Sequence, residues 1–478
     1  MLEIIKGVKN EAPFYYFEKI SKIPRASGNE SAIADYIVDF ASSLGLYSYK
    51  DESNNVLVVK EASAGRENEI SIMLQAHTDM VAEKNIATVH DFASDPIRLI
   101  QEGNILRADG TTLGADDGFG VAIMMAVLAD TSLSCPRIEC LFTSSEEIGL
   151  VGASKFDYSK IKARRMINLD SAEEDTVIIG CCGGIRTELD LPITREKINA
   201  KAIKISVGGL CGGHSGEDIN KGRLNSNIVM GMAINEIIKE YPCRLAYIHG
   251  GDKDNAIPRE CEALIVPEEK SFDSCLTLAK ELDEKFRGLI CASEDKGLFI
   301  KADATAVDSC FSANDTERIL KVLSVPNAIL KFREAPPILP ETSRNLARVR
   351  TNDDSVSIGF SSRSYLDSGL NGSMKELDSL AKELGGTTYH HERYPGWASD
   401  KDSDLVVCWQ NAFEKVSGKR PEATLIHAGL ECGLISAELE GLVAISVGCN
   451  VHDLHTPKET MELDSMDKIY EAVIEVLK

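Results

Sequence analysis

Residues 138–154 read IECLFTSSEEIGLVGAS. The mostly apolar run from Ile138 to Phe142 has the length and composition of a buried strand, and the polar segment after it carries two adjacent carboxylates, Glu146 and Glu147. At the edge of a low-dielectric interior, two such charges repel one another and lose hydration. A cation beside them would offset both costs, so the pair points to something bound.

The sequence on either side supports a sheet. Strand-like runs occur at Val56–Val59, Ile70–Leu74 and Met166–Leu169, and Val121 to Leu128 reads as a buried helix. Upstream, Ile33, Tyr36, Ile37, Phe40 and Leu44 recur at helical spacing behind Ser31, a residue suited to an N-cap. Strands alternating with helices predict an α/β sheet, in which ligands gather beyond the carboxyl ends of the strands. Three runs end in residues able to bind metal: His77 with Asp79, Glu146 with Glu147, and Asp170.

After the glycine-rich CCGG at 181–184 the pattern changes. A strand over Ala202–Val207 leads to a helix across Leu224–Lys239 and to strands near Leu245–Ile248 and Cys261–Val266. Later, Val356–Phe360 leads to a helix near Met374–Leu384. These predict an inserted α+β domain with a weak internal repeat, as from a duplicated unit. Helical patterns return at Asp402–Val416, and Ile469, Val473, Val476 and Leu477 close the chain on a final helix. The expected organisation is an α/β catalytic domain in two segments, 1–186 and 385–478, interrupted by a lid domain over 187–384.

The 478 residues, 43% hydrophobic, suffice for two or three domains. The opening MLEIIKGVKNEAPF shows no secretory signal pattern, and no run of about 18 apolar residues predicts a membrane span. Thirteen cysteines at irregular spacings, without a CxxC, fit reduced thiols in a cytoplasmic protein rather than a disulfide framework or cysteine-held zinc. A formal net charge of −23 argues against nucleic acid, because phosphate binding needs clustered Lys and Arg. Solubility accounts for most of that acidity, and a metal site for some of the carboxylates.

Five clusters share zinc or manganese ligand chemistry. LQAHTDMV sets His77 and Asp79 two apart, on one face of an extended segment, so that one can bind metal while the other steers it. TLGADDGFGVA holds Asp116 and Asp117 between glycines. Gly114, Gly118 and Gly120 suggest a nucleotide loop, yet neither GxGxxG nor a P-loop pattern is present. A tight turn presenting a carboxylate at a helix start fits better. The bland readings are a core-satisfied His77 and a capping aspartate at 116 or 117. SSEEIG, NLDSAEE with Asp170, and VGCNVHDLHTPKE with His452 and His455 complete the set. Pro457 and the polar surroundings place the last two histidines in a loop, where one of them is expected to be a ligand.

The series LQAHTDMV, TLGADDGFG, SSEEIGLVGA, LDSAEE with GCCGG, GGHSGEDI and HTPKE resembles the PepD-type aminoacyl-histidine dipeptidases (Xaa-His or cytosol non-specific dipeptidases). These belong to the co-catalytic zinc aminoacylase and carboxypeptidase family of metallopeptidases. The likeness covers essentially the whole chain, from IPRASGNE near the start to YPGW and IHAGLECG near the end. It implies a two-domain co-catalytic zinc exopeptidase fold and a cytoplasmic hydrolase of unblocked dipeptides, Xaa-His included. It further implies small peptides as partners and two divalent metal ions, zinc first, with manganese or cobalt as alternatives; a homodimer stays open.

By that resemblance, Asp116 would bridge the two ions, with His77 and Asp170 completing one ligand set and Glu147 and His455 the other. Glu146 would be the general base and Asp79 would orient His77. His214 of GGHSG and Asn255 of DKDNAIP would contact the scissile carbonyl, and Arg363 of SSRS would hold the terminal carboxylate. The chemistry is coherent: a general base contributes about 10²–10⁴-fold, and a guanidinium fork suits a carboxylate. Plainer roles are a hydrogen bond within a glycine-rich turn for His214 and a structural ion pair for Arg363.

Three features depart from the family pattern. Asp117 stands where Asn is expected, adding charge beside the bridging carboxylate; Ile148 stands where Thr is more usual; and CNVHDL before His455 keeps His452 as a rival ligand. His427 and Glu431 of IHAGLECG are expected near the site, with a helix-start role as the alternative for Glu431. The rival functions are an N-acyl amino acid deacylase or tripeptidase on the same scaffold, a catalytically silent binding protein, and a nucleotide binder, which lacks a phosphate-binding lysine.

Overall fold

The run at Ile138–Phe142 forms the strand Ile138–Thr143, buried at every position. In the computed structural model, which describes residues 2–333 and 339–478, this strand lies inside a nine-stranded mixed sheet. It pairs in parallel with Ile72–His77, so that His77 stands opposite Thr143. Ile72–His77 pairs in parallel with Arg165–Asn168 on its other side, and that strand with Val443–Ser446. The four strands therefore end together, and four chemistry-bearing segments leave the sheet at one edge, where open α/β sheets bind ligands.

Period-two alternation sorts the strand side chains onto two faces. Val56, Val58, Ile72, Leu74 and Phe142 enter a core shared with the helices Glu11–Ile20, Ser31–Ser43, Ala115–Ala129, Asp404–Ser417 and Leu463–Leu477. Leu57, Val59, Met73, Leu141 and Met166 face a second core with Phe156, Tyr158 and Ile435. Both faces are covered, as parallel strands require. A fully buried side chain such as Leu74 or Phe142 contributes about 1.5–3 kcal/mol.

Ser31 is not the cap: it is the first helical residue, and Glu30 occupies the N-cap position without a capping side-chain bond. The Glu30 carboxylate instead accepts from the Gly28 amide and from the amide and hydroxyl of Ser145, bracing the turn just before Glu146. Leu44 lies past the helix end and is 38% exposed.

A separate antiparallel sheet runs in the order Val451–His452, Thr460–Glu462, Ile105–Ala108, Leu99–Glu102. Residues 453–459 thus form the loop of a hairpin in which His452 pairs with Thr460.

The chain makes two compact units, Met1–Cys181 with Trp397–Ile426 and Leu430–Lys478, and Cys182–Gly396 with His427–Gly429. The first is the α/β unit just described. The second is α+β: its nine-stranded sheet is antiparallel, with a core shared by the helices Ser226–Glu240, Phe272–Arg287, Ala313–Leu323 and Asp367–Glu383. Gly183–Pro192 pairs with both Ser355–Ser364 and Thr387–Tyr394, which carries residues 183–186 and 385–394 into this unit.

Candidate metal centre and active site

In the first unit, His77 closes its strand with the side chain 1% exposed. Its Nδ1 sits 3.4 Å from Asp79 Oδ1 and 3.2 Å from the Asp79 carbonyl, two acceptors that place the proton on that nitrogen. Nε2, the nitrogen this leaves for a metal, lies 3.0 Å from Asp116 Oδ1 and 3.7 Å from Asp170 Oδ1. The other Asp116 oxygen, Oδ2, lies 3.0 Å from His455 Nε2, which is also 3.1 Å from Glu147 Oε1. Ligand atoms gather within 4.8 Å of one another in the sets His77, Asp116, Asp170 and Asp116, Glu147, His455, and in a third set of His77, Glu146 and Glu147. Asp116 is common to the first two, one oxygen to each histidine.

The turns that deliver these groups are conformationally costly. His455 has φ +62° and Ser145, just before the glutamates, φ +52°; left-handed non-glycine residues cost of order 1–3 kcal/mol and cluster at functional sites. Asp79 anchors the glutamate turn, accepting from the Glu146 amide at 3.0 Å, the Glu147 amide at 3.3 Å and the Ser27 hydroxyl at 2.8 Å.

Asp116 and Asp117 divide the two roles read from their motif. The peptide between them is cis, and neither has helical dihedrals. Asp117 is fully buried and accepts from the Gly120 amide at 3.2 Å, the bond of a helix cap, and from the His77 amide at 3.2 Å. Burial, with Asp116 beside it, pushes the Asp117 carboxyl well up, against the pull of His77. It shares no ligand set with Asp116. The glycines are no nucleotide loop: a Cβ at Gly114 or Gly118 would come within 2.6 Å of Arg25 Nη2, and one at Gly120 within 2.5 Å of Asp117 Oδ1. His452 turns away, its Nε2 3.0 Å from Glu462 Oε1.

The electrostatics are those of a cation site. Burial raises the Glu146 and Asp170 carboxyls well above their ordinary range, reinforced by neighbouring carboxylates and opposed by His77. Glu147 is raised by burial and Asp116, against His455. Burial works against charge on His77 and His455 but is outweighed by the carboxylates, which hold His77 well up and His455 at about 11. Buried Glu147 Oε1 has the His455 ion pair at 3.1 Å as its contact among the described residues. Excess buried negative charge, two imidazole nitrogens and a carboxylate shared between two sets fit two divalent cations. His77, Asp116 and Asp170 would hold one, and Asp116, Glu147 and His455 the other.

Behind this cluster Glu431, fully buried at the start of the helix Glu431–Glu438, accepts from Gln75 Nε2 at 2.6 Å and Thr143 Oγ1 at 2.7 Å. Burial, with Asp79, pushes its carboxyl to about 7 from 4.5, against His77 and these two donors. A raised acid binds an extra proton in the native state, so its contribution is complete below 4.5 and is lost as the pH rises through 7. The metal-free wild type should therefore lose melting temperature across that window, and Glu431→Gln should flatten the slope. Parallel profiles from calorimetry would refute this.

In the second unit, pairing of Gly213–His214 with Ala256–Ile257 brings two of the sequence motifs together, and Ser215 N donates to the Asn255 carbonyl at 2.8 Å. His214 Nδ1 accepts from the Glu217 amide at 3.2 Å, which leaves the proton on Nε2. That nitrogen lies 3.3 Å from Arg363 Nη2. Arg363 Nη1 donates to Tyr394 OH at 2.7 Å. His427 bonds Ser343 Oγ through Nε2 at 2.8 Å; burial, with Arg363 beside it, holds its pKa at about 3, so the ring is neutral.

Several residues went unread in the sequence although their motifs were visible. Arg25, Ser27 and Glu30 lie in IPRASGNE, Tyr394 in YPGW and Glu459 in HTPKE. The signal was a run of polar residues without an evident partner nearby; most of what they bond lies far off in sequence, backbone for Arg25 and Glu459 and side chains for Ser27 and Tyr394.

Two candidate ligand sets that share one carboxylate, with a second glutamate beside them at the carboxyl edge of a parallel sheet, match the layout of a co-catalytic metallohydrolase. The chain belongs to peptidase family M20/M25/M40, whose profile matches residues 73–478. It is 35% identical over 466 residues to the cytosol non-specific dipeptidase of Escherichia coli K12, covering 97% of this chain and 96% of that one. The crystal structure of aminoacylhistidine dipeptidase from Vibrio alginolyticus matches with a TM-score of 0.83 at 32% identity, over 98% of this chain and 96% of that chain. A tripeptidase from Staphylococcus aureus shares the fold, with a TM-score of 0.57 at 16% identity over 98% of each chain.

Proposed function

We propose that this protein is a cytoplasmic metallo-dipeptidase that hydrolyses unblocked dipeptides, Xaa-His such as β-alanyl-histidine among them, with zinc as its metal. The observation that carries the reading is the division of the Asp116 oxygens between two ligand sets, with Glu146 next to Glu147. The names of the two whole-length relatives support the substrate class.

Two bound divalent cations supply Lewis acidity for the scissile carbonyl and lower the pKa of a water toward about 7. The remaining work falls to side chains of this chain. Glu146 accepts the proton of the attacking water and delivers it to the leaving amine. Asp79 fixes the His77 tautomer and aligns both glutamate amides. In the second unit, His214 Nε2–H and Asn255 donate to the carbonyl oxygen as charge develops. Arg363, steadied by Tyr394, takes the substrate carboxylate, which distinguishes a free dipeptide from a C-terminally blocked one.

The deciding assay compares histidine release from β-alanyl-histidine with hydrolysis of N-acetyl amino acids, and cleavage of the acylated substrates alone would overturn the dipeptidase reading in favour of a deacylase. Loss of a charge-assisted pair costs about 1.5–3 kcal/mol, so Arg363→Ala should lower kcat/KM on a free dipeptide about 10–10²-fold. Its slow turnover of the dipeptide amide should stay near wild type. An equal loss on both substrates would remove Arg363 from carboxylate recognition.

A further inference from the structure

Asp116 sits on a backbone that no regular element supports. Gly114 has φ +67°, and Asp116 and Asp117 have ψ of 110° and 41°, so the helix ladder begins only after them. The amides of residues 113–116 thus have no helical acceptor, and buried amides left unpaired are expensive. All four donate to one side chain. Glu459 Oε2 accepts from Leu113 N at 2.8 Å and Gly114 N at 3.0 Å, and Oε1 from Ala115 N at 2.8 Å and Asp116 N at 3.3 Å. The carboxylate is 2% exposed.

The same turn is held on its carbonyl side by Arg25, also 2% exposed. Its Nη2 donates to the Gly114 carbonyl, and its Nη1 to the carbonyls of Thr78 and Asp79, both at 3.1 Å. Arg25 thereby ties the Asp116 turn to the strand end that carries His77. Glu459 ties it to the hairpin loop that carries His455, four residues before it. A buried carboxylate and a buried guanidinium are costly groups to place where amide-sized polar residues could fill space. Here both oxygens of the carboxylate are spent on the turn that ends at Asp116, the residue whose two oxygens are shared between the ligand sets.

We propose that Glu459 is a positioning residue for the bridging carboxylate, with Arg25 as its cationic counterpart, and that together they set the affinity of both cations through the orientation of Asp116. This rests on the reading that Asp116 bridges two cations. Neither residue touches substrate or the reacting atoms.

The test is metal affinity, which a merely structural role would not move. Glu459→Gln keeps size but removes the charge and turns an NH₂ group toward two amide donors. Zinc dissociation constants would be read by competition with a chromophoric chelator, alongside melting of the metal-free protein. Residues that orient a metal's ligands typically alter affinity about 10–100-fold. Glu459→Gln should weaken both zinc sites by that factor while still melting cooperatively. Glu459→Asp, which keeps the charge on a shorter arm, should recover part of the affinity. Glu462→Gln, a carboxylate of the same hairpin that bonds His452 and Asn450, should change neither site. A lowered melting temperature with unchanged zinc affinity would overturn the proposal. Should Glu459→Gln fail to fold, Arg25→Lys, which keeps charge but loses the fork, decides on the same criterion. A wild type that binds no zinc would instead defeat the metal reading itself, so the two failures are separable.

Discussion

Glu146→Ala should retain both cations and lose about 10²–10⁴-fold in kcat, whereas Glu147→Ala should lose one cation outright. Adjacent in sequence, with both backbone amides donating hydrogen bonds to the same Asp79 carboxylate, the two glutamates are set apart by their surroundings. The Glu147 side chain is 8% exposed, and its Oε1 lies 3.1 Å from His455 Nε2, within the set that contains Asp116. Glu146 joins only the set of His77 and Glu147, whose imidazole nitrogen is already directed to Asp116 at 3.0 Å. Removing Glu146 takes away a proton acceptor and relieves repulsion among buried carboxylates, so metal content should hold. Removing Glu147 takes away one of three ligands. Elemental analysis of both purified variants beside single-substrate kinetics reads the difference. Equal metal loss would show that the two roles are wrongly divided.

The strands and the buried helix were legible because their signal is local. Val56–Val59 and Ile138–Phe142 are short apolar runs bounded by polar turns, and Val121–Leu128 is buried throughout. The metal-competent residues stood out because histidines and carboxylates after apolar strands are costly unless bound. The details that the sequence misplaced or left open share one cause. Ser31 has the chemistry of a cap, but the helix starts one residue earlier because Glu30 is held by Ser145, more than a hundred residues on. The glycines of GADDGFG lack a phosphate-loop pattern, but the sequence does not show that at 114 and 118 they make room for Arg25. Which of His452 and His455 joins the site was not decidable from HDLH, because hairpin pairing of His452 with Thr460 sets the phase of the loop. Glu459 was unreadable for a deeper reason: its partners are four backbone amides, and an amide has no letter of its own.

Asp116→Ala should abolish binding of both cations and lower kcat/KM by about 10³-fold or more, since metal catalysis supplies several kcal/mol and each 1.4 kcal/mol is tenfold. Among the described residues, Asp116 alone belongs to both the His77–Asp170 set and the Glu147–His455 set. In the metal-free protein the two histidines already compete for its oxygens at 3.0 Å each. They hold its carboxyl well below the usual range although burial works the other way. Asp116→Asn keeps one oxygen acceptor and should therefore keep one cation, at reduced affinity. Ligand-linked stabilisation grows with the logarithm of free metal over its dissociation constant. Added zinc should thus raise the melting temperature of the wild type strongly, of Asp116→Asn partly, and of Asp116→Ala scarcely at all. Two zinc ions per chain in Asp116→Ala would remove the bridge from the site. One ion in that variant and two in Asp116→Asn would mean that a single Asp116 oxygen serves a single cation, with Glu146 or Glu147 completing the other site.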